Sequence, residues 1–203
     1  MDNATESVWK IWSDGGWLML PLALLGMFIY TTILDIYFYL DSLLANQSDR
    51  DLWAHWVDKP DEAEGPIGEM VQHVQEDLQN SSDIRRRVLQ LKQIHLSRID
   101  SRIRLAVVLV STAPLTGLLG TVTGMLSTFA GLGASSGGNT IDLVAGGISE
   151  ALITTQTGLV LAIPGYILIN MVKRKRERLE IFLNQLEILT MQTFERHFKQ
   201  RAS

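Results

Sequence analysis

Residues 105–132 read LAVVLVSTAPLTGLLGTVTGMLSTFAGL, a run without one charged side chain. A helix rises about 1.5 Å per residue, so roughly 20 apolar residues cross the ~30 Å hydrocarbon core of a bilayer. The run therefore predicts a membrane-spanning helix over 105–132. Working outward, two further runs meet the same criterion. Residues 17–39 carry only Asp35, near their far end, and residues 145–172 carry only Glu150. Three such runs in a chain of 203 residues could not all be covered by what remains, which argues against buried helices of a soluble globule.

The basic residues orient the spans. Seventeen of the 18 lysines and arginines fall between Asp41 and Arg104 or after Val172, while the segment ahead of the first span holds only Lys10. Positive charge stays on the cytoplasmic side, so the N-terminus is predicted outside and the C-terminus inside. The expected organisation is a periplasmic segment over 1–16 with a short interfacial helix, a first span over 17–39 and a cytoplasmic helical domain over 40–104. The second span follows over 105–132, then a short periplasmic loop over 133–144, a third span over 145–172 and a cytoplasmic helix over 173–203. The fold class is an all-α membrane protein in which two long helices extend into a cytoplasmic helical domain. An acidic N-terminal segment with no small-residue cleavage site behind the first span predicts that no signal peptide is removed.

Between the spans, Trp53 and Trp56 sit on a short amphipathic turn, and Asp58-Lys59-Pro60 and Gly65-Pro66 punctuate loops. Ile67, Met70, Val71, Val74 and Leu78 keep a helical rhythm up to Asn80-Ser81-Ser82-Asp83, which offers a new N-cap. From Ile84 the pattern resumes and no breaker precedes Leu105, so this helix is expected to run into the second span. After the third, Leu179, Phe182, Leu183, Leu186, Leu189, Phe194 and Phe198 make an apolar stripe.

Composition removes several chemistries. There is no cysteine, hence no disulfide or thiolate site. His55, His73, His95 and His197 are scattered without metal spacing, and no nucleophile stands beside a base, so neither an enzyme, a metal site nor a cofactor is expected. The clusters Arg85-Arg86-Arg87 and Lys173-Arg174-Lys175-Arg176 read as anchors for anionic lipid headgroups rather than a nucleic-acid surface.

The polar residues of the spans carry the functional reading. A carboxylate in a membrane helix is costly and normally marks an ion path, which singles out Glu150. At 100° per residue, Pro114, Gly117, Gly120, Thr121, Gly124, Thr128 and Gly131 share one face of the second span. Small residues there permit close helix packing, while Thr121 and Thr128 add hydroxyls that can meet backbone, water or an ion. On the third span, Glu150, Thr154, Thr157, Leu161, Pro164 and Gly165 cluster within about 100°. Thr155 lies to one flank with Ala151, Gly158 and Ala162, and Pro164 is expected to bend the helix. The plainer readings are a packing seam and a carboxylate held near the outer interface by a helix N-terminus. One carboxylate per chain is thin for a self-contained transporter. A pore of several copies, completed by a partner that supplies the titratable group, fits better.

Two blocks are similar to a known family. Pro114-Leu115-Thr116-Gly117-Leu118-Leu119-Gly120-Thr121-Val122-Thr123-Gly124-Met125 resembles its second-span signature. Gly146-Gly147-Ile148-Ser149-Glu150-Ala151-Leu152-Ile153-Thr154-Thr155, with Gly158-Leu159 and Ala162-Ile163-Pro164, resembles its third. The family is MotA/TolQ/ExbB, with the nearest likeness to its ExbB branch in a short form. The resemblance implies an inner-membrane homo-oligomer, a pentameric ring, around the membrane helices of an ExbD-like single-span dimer. It further implies that the proton-motive force energises a TonB-like protein for uptake of ferric siderophores and cobalamin through outer-membrane receptors. The family's functional glutamate falls on Glu150 and its pore threonines on Thr121 and Thr155, while the main titrating carboxylate belongs to the ExbD-like helix. A TolQ-like stator would share these motifs and be told apart by its neighbouring genes. A self-contained ion channel would conduct alone.

Overall fold

The computed structural model describes residues 12–44, 50–76, 78, 80–134 and 140–202. Among them there are helices and no strand: α1 Met19–Leu44, α2 Arg50–Asp58, a 3-10 turn Pro60–Glu62, α3 Gly65–Gln75, α4 Ser81–Ala134 and α5 Thr140–Ala202. Within α1, α4 and α5 lie three stretches long and apolar enough to cross a membrane. The interfacial helix expected before residue 16 falls largely on residues 1–11, outside the described residues.

Local chemistry accounts for the boundaries. At the start of α4 the Asp83 carboxylate accepts the Asn80 backbone N–H at 3.0 Å, one half of a capping box, and Arg86 donates to the same carboxylate at 2.9 Å. Pro66 occupies the first turn of α3, where a missing N–H leaves no bond unmade. Pro114 and Pro164 lie inside α4 and α5, and both helices continue through them. α5 begins at Thr140, five residues ahead of the span expected from 145, with Asp142 in its first turn.

The chain divides into two compact units. Leu34–Arg104 and Asn170–Ser203 form the charge-rich one. Its core is apolar: Ile36, Leu40, Ile67, Ile84, Ile99, Leu179, Phe182 and Leu183 are almost wholly buried. Around that core, ion pairs tie helices together. Arg176 forks onto both Asp100 oxygens at 2.8 and 2.9 Å and also reaches Glu180. Asp35 pairs with Arg102, and Lys175 pairs with Asp41 while lying 3.6 Å over the Tyr37 ring. α3 is fastened to α4 where Arg87 donates to the His73 carbonyl at 2.9 Å.

His95 borders a cavity of about 370 Å³ in this unit, walled by Leu43, Met70 and Leu91 with Glu69 and His73 beside it. Its Nδ1 is 3.2 Å from the Tyr39 hydroxyl, and burial lowers its pKa below the ordinary 6.5. The unfolded chain therefore takes up this proton first as pH falls. The charge costs nothing above the unfolded value, and stability is lost progressively until the lowered folded pKa has been passed. We expect the thermal midpoint of the detergent-solubilised chain to drop on acidification from about pH 7.5 to 5.5, and to drop less in His95→Gln. Equal slopes for the two proteins would contradict this.

The second unit comprises residues up to Ile33 and Leu105–Ile169. Leu22, Ile29, Val110 and Ala113 are fully buried in it, Ala106 and Ala162 nearly so. Large apolar side chains on its surface, among them Leu115, Leu126, Phe129, Leu152 and Val160, are more than half exposed. Such a surface suits lipid or further protein, because neither penalises an apolar exterior.

Candidate functional site

The site lies where α4 and α5 meet in the apolar unit, and glycine makes the meeting close. A Cβ at Gly117 would stand 2.9 Å from the Thr154 carbonyl oxygen and 3.0 Å from Thr155 Cα. At Gly158 it would stand 2.7 Å from the Ala113 carbonyl oxygen, beside Pro114. Gly124 lies against Gly147 and Ala151, and Gly120 against the Thr154 side chain. Thr128, 3% exposed, donates to the Gly124 carbonyl at 2.9 Å and fills the space over Gly147.

The hydroxyls expected to mark a path divide between two environments. Thr154 is 1% exposed and donates to the Ala151 carbonyl at 2.9 Å, so together with Thr128 it belongs to the packed seam. Thr155 is half-buried and reaches across to the Gly117 carbonyl at 3.1 Å. Thr121 is half-exposed and donates to its own helix at Leu118, 2.7 Å away. Pro164 is exposed and Gly165 packs on Val110.

The single polar arc read on the third span is resolved into separate faces. Gly147, Ala151, Thr154 and Gly158 meet α4, whereas Leu161 meets α1 at Gly26, where Tyr30 donates to the Leu161 carbonyl at 3.1 Å. Glu150 lies with the second set. It is half-buried, and a Cβ at Gly16 would overlap its Oε1. Gly16 has φ +67°, so glycine is required there both by the backbone and by the carboxylate above it. The Gly15-Gly16 dipeptide was the only sequence signal for this approach, and it named no partner.

A helix N-terminus does not hold Glu150. It is the eleventh residue of α5, about 15 Å past Thr140, and the dipole acts only within the first turn. Among the described residues no hydrogen bond or ion pair engages its carboxylate. Thr121 and Thr155 are part-exposed and, among the described residues, the Glu150 carboxylate is unpaired; hydroxyl oxygens and a carboxylate are groups that can accept a proton.

A model described as the MotA/TolQ/ExbB proton channel family matches residues 62–185, more than half of the chain. The biopolymer transport protein ExbB of Xanthomonas campestris pv. campestris (strain B100) is 38% identical over 108 residues, 53% of this chain and 41% of that protein. A putative ExbB-like protein 1 of Synechocystis is 49% identical over 57 residues, 27% of this chain and 22% of the relative. A putative ExbB-like protein 2 of Helicobacter pylori (strain ATCC 700392 / 26695) is 40% identical over 79 residues, 39% of this chain and 52% of the relative. The chain thus spans about half, or less, of the length of the curated relatives it matches.

Proposed function

This chain belongs to the MotA/TolQ/ExbB proton channel family, and from that membership we propose that it is an ExbB-like inner-membrane subunit of a motor driven by the proton-motive force. In this reading several copies form a ring, a pentamer, around an ExbD-like single-span dimer, and the assembly energises a TonB-like protein for uptake across the outer membrane. The N-terminus is periplasmic, and the unit rich in Arg and Lys is cytoplasmic. The observation that supports the reading best is Glu150, a carboxylate within a membrane-length helix and unpaired among the described residues. One such group per chain suits a pore completed by a partner. Each proton moved down a 100 mV potential releases about 2.3 kcal/mol for mechanical work.

The test is co-expression and co-purification with an ExbD-like single-span protein, then proton flux in liposomes with and without that partner. Flux only with the partner supports the reading. Flux from this chain alone would replace it with a self-contained channel. Thr121→Val keeps the shape and removes the oxygen, so the complex should assemble at normal yield with flux about fivefold lower, the worth of one hydrogen bond. Unchanged flux would return that position to packing.

A further inference from the structure

On α5, Tyr166 lies eleven residues beyond Thr155, three turns plus about 20°, so the two share one line about 16 Å apart along the axis. Leu161, which meets α1, stands about 120° around the helix from Thr155 and about 140° from Tyr166. Tyr166 is 42% exposed, and its hydroxyl is 2.8 Å from Ser111 Oγ on α4. Ser111 in turn donates its one proton to the Val107 carbonyl at 2.8 Å. The shared proton between the two hydroxyls therefore comes from Tyr166, and the lone pairs of Tyr166 Oη stay open.

The same polarity holds at the two threonines. Thr155 commits its proton to the Gly117 carbonyl and Thr121 to the Leu118 carbonyl, leaving oxygen lone pairs available at each. All three groups offer acceptors and no donor, without adding a charge. Such groups hold water, hydronium or a protonated carboxylic acid, whose O–H bonds point at them. An anion finds no donor.

We propose that Tyr166, oriented by Ser111, forms a second acceptor station of the proton path, about 15 Å along the helices from Thr121 and Thr155. The inference rests on the proton-conducting reading above. Tyr166 keeps its own proton on Ser111 and positions the water or acid that carries the moving one. Ser111 is the positioning residue that turns the lone pairs outward. Half of a ~30 Å hydrocarbon core would otherwise lack a polar contact from this chain on that line.

Because the chain has no cysteine, single cysteines report accessibility cleanly. In the assembled membrane complex, Tyr166→Cys and Thr121→Cys should react with a charged, membrane-impermeant methanethiosulfonate, and Val160→Cys, on the exposed apolar face, should not. Tyr166→Phe should lower partner-dependent proton flux about fivefold at unchanged complex yield and thermal midpoint. Ser111→Ala should give a smaller loss, and none when added to Tyr166→Phe. Wild-type flux in Tyr166→Phe, or a Tyr166→Cys that stays unreactive while Thr121→Cys reacts, would overturn the station and leave the proton path standing. A lowered thermal midpoint with normal flux would also overturn it, making the pair a helix tie. A wild-type complex that passes no protons, with Thr121→Cys unreactive, would remove both.

Discussion

Glu150→Ala is expected to reduce partner-dependent proton flux about a hundredfold, the usual worth of a positioned proton-transfer group, while the chain still inserts and assembles. It is the only carboxylate in the spans over 105–132 and 145–172, so no other carboxylate of this chain within those spans can exchange a proton. Assembly should survive because the side chain has no hydrogen-bond or ionic partner among the described residues to leave stranded. Glu150→Gln separates charge from shape. The amide fits the same space above Gly16 but carries no exchangeable acid, so flux should fall as far as with alanine. Full flux in Glu150→Ala, at normal complex yield, would sink the assigned role. Full flux in the glutamine variant alone would reduce it to a polar contact.

The three apolar runs could be read without structure because length and the absence of charge decide the matter before any packing is known. The start of α5 could not. The stretch over 133–144 reads as a loop, yet Ile141, Leu143 and Val144 are already helical. Intrinsic propensity is a weak prior that context overrides. The consequence reaches the site, since a helix start near 145 would have put Glu150 under the dipole. A wheel drawn on one helix also does not say which neighbour each face will meet. It grouped Thr154 with Glu150 and set Thr155 aside, whereas the packed helices bury Thr154 against Gly120 and leave Thr155 half-buried at its edge. The approach of Gly16 to Glu150 and the bond from Ser111 to Tyr166 join residues far apart in the chain. No periodicity encodes them.

Gly158→Ala is expected to destabilise the apolar unit by about 1–3 kcal/mol, against the sign that helix propensity alone would give. Alanine favours a helix over glycine by about 1 kcal/mol, so the steric cost must first cancel that gain. It does so because the new Cβ would lie 2.7 Å from the Ala113 carbonyl oxygen and 3.3 Å from Ala113 C and Pro114 Cα, backbone atoms that no rotamer change can move aside. The two helices would have to separate, stretching the bond from Thr155 to the Gly117 carbonyl one turn away and with it the placement of the path. Gly146→Ala is the control in the same helix. Nothing lies within 4 Å of its added methyl, so only propensity acts and the protein should become slightly more stable. Thermal unfolding of the two variants in one detergent reads the comparison directly. A Gly158→Ala protein as stable as Gly146→Ala would mean that α4 and α5 are not in backbone contact there. A destabilised Gly146→Ala would instead show that this exposed position is covered by another copy or by the partner.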